Sequence, residues 1–268
     1  MGLKQTAVNI GGIVSAVTLP AVAIALGWRY GFLFLGIIAI AIGVTAFILY
    51  KEPPVPASTS STGSAAPAMA MPLSELLKSR EIWLVAISSL CLAWVEMAII
   101  AHLVLYLTEV LLFSVVAAGG LLAMAEAAGA AARPGSGLLS DRVFSGNRKQ
   151  VFILMAGIAS VSCLLVGLFG SYLSWAIYPV LILLGVGGIG FGGIALTLAS
   201  EFGGRYGAGK AVGLVATIGM GGSIFGPFVF GHIVDISGSY KLAWLSLAFI
   251  AALCLLLLLF VREERRRI

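Results

Sequence analysis

Charged side chains are scarce in this sequence of 268 residues, where they make up 10% of the total. Soluble domains carry about 25%. Hydrophobic residues reach 60%, and the mean hydropathy is +1.11. So much apolar surface cannot be enclosed in one water-soluble core, because too few polar side chains remain to cover it. The composition excludes an ordinary soluble domain and indicates a protein whose solvent is a lipid bilayer.

Cysteine and histidine are also rare. The three cysteines (Cys91, Cys163 and Cys254) lie inside separate apolar runs without a Cys-x-x-Cys spacing, so neither a disulfide framework nor a zinc site is predicted. The two histidines are far apart, and the sequence has no His-Glu-x-x-His or Gly-x-Ser-x-Gly motif. We therefore expect no enzyme, no cofactor and no bound metal. The net charge is +5, but the bases are dispersed, which argues against nucleic acid as a partner.

What the sequence does contain is a series of long apolar runs. A helix needs roughly 20 residues to cross a hydrocarbon core of about 30 Å. Inside lipid the backbone must satisfy its own hydrogen bonds, so continuous apolar runs of this length are helices. The predicted fold is an all-α integral membrane bundle, with eight transmembrane helices at about 5–26, 30–50, 82–107, 115–139, 151–170, 176–200, 210–233 and 241–261.

The distribution of bases predicts the orientation. If the connection between the fourth and fifth runs is cytoplasmic, only Arg29 and Lys241 fall outside and Arg133 lies within a helix. This excess follows the positive-inside rule and places both termini in the cytoplasm of a cell whose plasma or inner membrane holds the protein. Thirteen bases then fall inside: Lys4, Lys51, Lys78, Arg80, Arg142, Arg148, Lys149, Arg205, Lys210, Arg262, Arg265, Arg266 and Arg267.

One segment interrupts the apolar pattern. Residues 52–72 are rich in Pro, Ser, Thr, Ala and Gly and cannot bury a face, which is typical of a flexible linker. A short amphipathic run, 73–80, follows and is expected to lie on the membrane surface. We therefore predict two helices in residues 1–51, a cytoplasmic linker and surface run in 52–80, and six helices in 81–268.

Two parts of the sequence share a pattern: a glycine, a proline eight residues later, a glycine-led turn and an apolar run that ends in a base and an acid. The first copy contains Gly12, Pro20 and 27–30, and the second contains Gly219, Pro227 and 238–241. Parallel repeats of this kind are typical of secondary transporters. The first two helices therefore correspond to the last two, and the four helices that would precede them in a full repeat are expected to be missing.

A polar segment, 134–149, separates two apolar runs and carries the most specific motif. Its sequence Gly137-Leu138-Leu139-Ser140-Asp141-Arg142, followed by Arg148-Lys149, resembles the cytoplasmic signature loop of the major facilitator superfamily. In that family the loop joins the second and third helices of each six-helix half, which is its position here after the linker. The resemblance implies a transporter and identifies the chain with the last eight of twelve helices, so that an N-terminal truncation is expected.

The signature loop is predicted to act as a gate. Gly137 permits a tight approach of the backbone, and Asp141 can accept hydrogen bonds at the start of the 210–233 helix, which the resemblance places nearby. Arg142, Arg148 and Lys149 can pair with carboxylates on the inner face. The hypothesis is a charged latch that closes the cytoplasmic side. The alternative is that the bases serve only to set the topology.

Three charged residues are predicted inside membrane helices, where charges are costly and are functional by default. Glu126 lies about 16 Å into its helix, near the midplane, and Glu96 about 21 Å into its own. Arg133 is two turns from Glu126 on a similar face. The resemblance places all three on helices that line the central cavity. We expect a substrate or proton pathway, with a structural ion pair between helices as the alternative.

Prolines and glycines are predicted to bend the helices. Pro20, Pro179, Gly226 and Pro227 lie within apolar runs, where bending for a rocking motion competes with simple close packing. Residues 185–190 fit the dinucleotide fingerprint Gly-x-Gly-x-x-Gly, but that motif requires a strand, a turn and a soluble helix. We reject it because this segment lies in the middle of an apolar run.

The predicted function is transmembrane transport of a small polar solute by alternating access. An organic anion moved together with protons is the preferred form. The predicted partners are the lipid bilayer, the solute and protons. The alternative is a membrane-embedded fragment of a transporter that does not transport by itself.

Overall fold

A computed structural model of the chain describes residues 2–49, 72–172 and 175–262. Within these ranges the structure is helical and contains no β-strand, which confirms the predicted all-α class. A 3₁₀ turn at Gly170–Tyr172 and a π-helical turn at Gly185–Ile189 also occur. The α-helices of the described ranges are α1 (Gly2–Leu26), α2 (Trp28–Leu49), α3 (Leu73–Lys78), α4 (Arg80–Glu109), α5 (Val115–Arg142), α6 (Arg148–Phe169), α7 (Ile177–Leu184), α8 (Gly192–Ser237) and α9 (Tyr240–Leu259).

Within the described ranges, eight helical segments are long and apolar enough to cross a membrane, as the hydrophobic runs predict. Helix α8 contributes to two of them because its backbone breaks at Gly204, where φ is 61° and ψ is −166°. The sixth and seventh spans are therefore Ile177–Gly204 and Gly207–Ser237. This backbone region is open almost only to glycine, so a single glycine separates two membrane crossings.

The chain divides into two compact units. The first comprises Met1–Val17 and Ala70–Ile268, and the second comprises Thr18–Met69. The first unit contains the beginning of α1 and every helix from α3 onward. Nearly all of the predicted linker, 52–72, lies outside the described residues, and the predicted domain boundaries remain predictions.

Close packing in the first unit depends on small residues. A side-chain carbon at Gly222 would collide with the carbonyl oxygen of Leu90, and one at Gly226 with the carbonyl oxygen of Trp94. Helix α8 therefore lies directly against α4, as glycines allow between membrane helices. The predicted bending role of Gly226 stays a prediction, whereas its part in this close contact is a feature of the structure.

The sixth span is less regular than the single helix that we predicted over 176–200. Helix α7 ends at Leu184, and the π-helical turn Gly185–Ile189 follows before α8 begins. Glycines favour this irregularity because they destabilise a regular α-helix and allow neighbouring helices to approach closely. The turn packs against the carbonyl oxygen of Ala125 on α5. Such π-helical turns are frequent at functional sites.

The predicted prolines lie within helices rather than at breaks. Pro20 and Pro227 are inside α1 and α8, and Pro179 is the third residue of α7. The bending role of these prolines remains a prediction. The departures from α-helical geometry in the sixth and seventh spans lie at glycines instead.

The polar segment 134–149 is more helical than expected. Helix α5 continues through Pro134 to Arg142, so the connection itself is only residues 143–147. The cause is that a helix satisfies its own backbone groups even where its side chains become polar. Left-handed conformations at Ser145 and Gly146 turn the chain, and the Asn147 side chain accepts a hydrogen bond of 3.1 Å from the backbone N–H of Gln150 to cap α6.

The two copies of the repeat share a local backbone feature. Gly27, between α1 and α2, has φ of 98°, and Gly238, between α8 and α9, has φ of 62°. Both donate their N–H to the carbonyl four residues earlier, as left-handed caps at helix ends do. The glycine-led turn of the sequence pattern thus has the same role in each hairpin.

Candidate functional site

Helix α5 places two charged side chains on one face. Glu126 and Arg133 are seven residues apart, which is close to two full turns. Both are buried, with exposed fractions of 3% and 4%. Glu96 on α4 is also buried. The structure therefore gathers all three predicted intramembrane charges inside the first unit.

Arg133 joins three elements. Its Nη2 atom lies 2.8 Å from Oε1 of Glu96, which forms an ion pair between α5 and α4. The same nitrogen donates a 3.1 Å hydrogen bond to the carbonyl oxygen of Ile189, the last residue of the π-helical turn. The guanidinium carbon lies 3.7 Å from the position that a side-chain carbon at Gly192 would occupy. The arginine therefore also lies beside the first residue of α8.

Glu126 has a neutral partner on a distant part of the chain. The amide nitrogen Nδ2 of Asn9, on α1, donates a 2.8 Å hydrogen bond to Oε2 of Glu126 across 117 residues of sequence. A side-chain carbon at Gly12, one turn later in α1, would lie only 2.8 Å from the carboxyl carbon of Glu126. The carboxyl group therefore lies directly against the backbone of α1.

Asn9 is a site residue that the sequence analysis missed. It is buried, with 1% of its surface exposed. The available signal was an amide side chain inside the apolar span Thr6–Leu26, since polar groups in membrane helices usually bond to another helix. The partner of Asn9 could not be predicted, because the sequence does not show which helix α1 contacts.

The three charges form one electrostatic system. Glu96 and Glu126 interact with each other, and Arg133 interacts with both. Their formal charges, two negative and one positive, sum to −1, so one added proton makes the set neutral. Because the groups are shielded from water, these interactions are far stronger than they would be at a surface. The network thus combines carboxyl groups, which can bind protons, with a guanidinium, which can bind anions; its use as a substrate or proton pathway stays a prediction.

A second cluster lies where α5 ends and α6 begins, and Arg148 is its centre. Arg148 Nη1 lies 2.6 Å from Oδ1 of Asp141, and Nε lies 3.2 Å from Oε1 of Glu201 on α8. Nη1 also donates a 3.3 Å hydrogen bond to the carbonyl of Gly137. This predicted gating segment thus connects α5, α6 and the end of the sixth span.

The other loop residues have different roles. Lys149 Nζ donates to the carbonyls of Leu259 (3.0 Å) and Val261 (2.6 Å) at the end of α9. Arg142 makes no ion pair with any described residue. The Asp141 carboxylate pairs with Arg148 across the short connection 143–147. Its expected contact with the start of the 210–233 helix stays a prediction.

The two histidines of the sequence contact aromatic rings. The His102 ring packs on Phe230 with centroids 4.7 Å apart, and His232 stacks on Phe228 at 6.1 Å. Among the described residues no three His, Cys, Asp or Glu side chains are grouped closely enough to hold a metal ion. The ring contacts of His102 and His232 do not involve Glu96, Glu126 or Arg133.

The sequence matches the family model of the Major Facilitator Superfamily over residues 1–227. The chain belongs to this superfamily, whose members are multi-pass membrane transporters of small solutes rather than enzymes. A second model, for vacuole effluxer Atg22-like proteins, matches residues 210–268. The first match includes the signature loop, and the second covers the C-terminal helices.

The curated relatives that match this chain are longer than it is. It is 25% identical to an uncharacterized MFS-type transporter of Mycobacterium tuberculosis, covering 91% of this chain and 53% of the relative. It is 25% identical to SauU, a probable sulfoacetate transporter of Cupriavidus necator, with coverage of 91% and 60%. The chain therefore spans little more than half the length of these relatives.

A solved structure shares the fold. The fucose:proton symporter FucP of E. coli aligns with a TM-score of 0.58 at 18% identity, over 88% of this chain and 58% of FucP. At this level of identity the likeness concerns the fold alone.

Proposed function

We propose that this protein takes part in proton-coupled transport of a small organic anion by alternating access. The observation that carries the proposal is the buried set of two glutamates and one arginine inside membrane helices. Isolated charges at such depth are destabilising unless they pair, and in transporters they mark ion and substrate pathways.

The proton is assigned to the two carboxyl groups. Glu126 is bonded to the neutral amide of Asn9, which can donate to a carboxylate and can equally accept from a carboxylic acid. Protonation therefore does not leave a buried partner without a hydrogen bond. Because Glu96 and Glu126 repel each other when both are ionised, one proton shared between them relieves the repulsion.

The anion is assigned to Arg133. A planar guanidinium binds carboxylate, sulfonate or phosphate groups through paired hydrogen bonds. Glu96 occupies this position in the structure at 2.8 Å. A proton on Glu96 would weaken its hold on Arg133 and leave the guanidinium available to a substrate anion. Proton and anion binding would then favour each other, which is the requirement for symport.

The Arg148 cluster is assigned to gating. Its two ion pairs and one carbonyl contact join α5, α6 and α8 at one end of the bundle. The distribution of bases supports a cytoplasmic location for this end, with both termini on the same side. Separation of Arg148 from Asp141 and Glu201 would open that end during transport.

The test is uptake by the purified chain in liposomes. Sulfoacetate serves as the anionic probe because a relative is named for it, and fucose serves as a neutral solute of comparable size. With an inward proton gradient we expect uptake of sulfoacetate, or of another small carboxylate in a panel, and none of fucose. Uptake of fucose but of no anion would contradict the assignment of Arg133.

A second candidate is a membrane-embedded protein that does not transport by itself. It is favoured by one observation, since the chain spans only 53% and 60% of the two curated relatives. The same liposomes distinguish the two functions. Helical, correctly inserted protein without uptake of any solute at any gradient would support this second candidate.

A further inference from the structure

A basic cavity lies beside Lys149, at the end of the bundle that carries the Arg148 cluster. Its volume is about 490 Å³. It opens between the first turns of α4 and α6 and the end of α9. The side chains that give it its character are Arg80, Asn147, Lys149, Leu259, Phe260 and Arg262.

The cavity has an excess of positive charge. Arg80, Lys149 and Arg262 line it, while among the described residues Glu81 is an adjacent acid, whose Oε2 accepts the backbone N–H of Arg262 at 2.8 Å. Lys149 is held at the wall by its hydrogen bonds to the carbonyls of Leu259 and Val261. The three cations thus come from the start of α4, the start of α6 and the segment that follows α9, and they line one space.

Part of the cavity lining is apolar. Leu259 and Phe260 expose 53% and 61% of their surfaces. In a membrane-spanning bundle, exposed apolar side chains at the end of a helix face lipid rather than water. A ligand that fills this cavity therefore meets both cations and apolar side chains.

Neighbouring residues place the cavity at the membrane interface. Trp83, one turn after Arg80, exposes 41% of its surface and donates its indole N–H to the carbonyl of Leu77 at 2.8 Å. Helix α3 buries Leu76 against the protein and exposes Leu73 and Leu77. Tryptophan and short amphipathic helices both favour the headgroup region.

We propose that this cavity binds the headgroup of an anionic phospholipid. Arg80, Lys149 and Arg262 would contact the phosphate, while Leu259 and Phe260 would lie along the glycerol and the start of the acyl chains. Basic pockets between membrane helices recognise lipid headgroups in this way. A free phosphate ion would meet the same cations but would gain nothing from the apolar side chains, so the phospholipid is the favoured ligand. The bound lipid would join α4, α6 and α9 beside the Arg148 cluster.

The test compares phospholipid binding to the intact chain and to the variant Arg80→Gln/Arg262→Gln. These substitutions remove two cavity cations but keep Lys149 and the backbone hydrogen bond from Arg262 to Glu81. Native mass spectrometry of delipidated protein, titrated with phosphatidylglycerol or phosphatidylcholine, measures the affinity. We expect the intact chain to prefer phosphatidylglycerol and the variant to bind it about tenfold more weakly. Binding of phosphatidylcholine should be unchanged.

A matched control removes the same amount of charge outside the cavity. Arg142→Gln/Lys78→Gln should leave binding of phosphatidylglycerol intact, and a loss as large as in the cavity variant would overturn the proposal. Equal affinity of the cavity variant and the intact chain would overturn it as well. In a third arm, displacement of phosphatidylglycerol by millimolar inorganic phosphate would show that the cavity recognises free phosphate instead. Circular dichroism of each variant verifies that the helices are retained.

Discussion

Arg133 donates a 2.8 Å hydrogen bond to Glu96 although 37 residues separate them, and both side chains are buried. The pair connects α5 to α4 among buried side chains. Removal of one partner from a buried pair leaves the other charge uncompensated, while removal of both does not. This asymmetry allows the contribution of the pair to stability to be measured.

We expect Arg133→Met to lower the free energy of unfolding by about 3–5 kcal/mol, because Glu96 remains buried without its cation. The double variant Glu96→Gln/Arg133→Met should recover most of this loss. Denaturant-induced unfolding in mixed micelles, followed by circular dichroism, gives both values. A double variant as unstable as the sum of the two single variants would argue against direct coupling.

Substitution of Glu126 tests its assignment as a proton carrier. Glu126→Gln retains the shape of the side chain and an oxygen that accepts from Asn9, but it cannot release a proton. We expect uptake of anion into liposomes to lose its stimulation by a proton gradient, while exchange of anion without a gradient continues. Gradient-stimulated uptake at the level of the intact chain would remove Glu126 from the proton pathway. Glu109→Gln is the control, since that carboxylate is exposed and bonds to Tyr240.

Gly12 tests the contact between α1 and α5. A side-chain carbon there would lie 2.8 Å from the carboxyl carbon of Glu126. We expect Gly12→Ala to be less stable than the matched Gly11→Ala variant by about 1 kcal/mol, because the Glu126 carboxyl group must shift and its hydrogen bond with Asn9 is weakened. Gly11→Ala is the matched control, because nothing lies within 4 Å of the added carbon and α-helices favour alanine over glycine. Thermal unfolding in micelles should separate the two; equal melting temperatures would refute the contact.

Arg148 tests the gating cluster. Arg148→Gln removes contacts to Asp141, Glu201 and Gly137, whereas Asp141→Asn removes only one ion pair. Because exposed ion pairs contribute about 0.2–1 kcal/mol each, we expect hydrogen exchange over residues 143–150 to accelerate several-fold in the first variant and less in the second. Arg142→Gln, which loses no ion pair of the described structure, should exchange like the intact chain. Equal hydrogen exchange in all three variants would contradict the proposal that the contacts of Arg148 stabilise this end of the bundle.

Gly204 tests the break between the sixth and seventh spans. Its φ of 61° and ψ of −166° are unfavourable for any residue with a side-chain carbon. We expect Gly204→Ala to lower the free energy of unfolding by about 1–3 kcal/mol. Gly209→Ala, also in α8 and with open space around the added carbon, should be neutral or slightly stabilising. Chemical unfolding of both variants in the same micelles provides the comparison.

The sequence predicted local features well. Eight apolar runs correspond to the eight membrane-crossing segments because length and hydropathy alone decide whether a helix can span lipid. The buried state of Glu96, Glu126 and Arg133 followed from their depth in those runs. The break at Gly204 and the π-helical turn at Gly185–Ile189 were not predicted, since many glycines in the same spans remain helical.

Composition and hydropathy by themselves predicted an all-helical membrane protein, because a bilayer accepts few other solutions for such a chain. The resemblance to the major facilitator superfamily came from a different part of the sequence, the signature motif that begins at Gly137. Only the tertiary structure decided which charges meet. Asn9 reaches Glu126 across 117 residues, and Arg148 reaches Glu201 across 53. The physical reason is that a side chain's partner depends on how each helix is rotated and which neighbour it packs against. Those quantities arise from contacts between distant segments, and no single apolar run contains them.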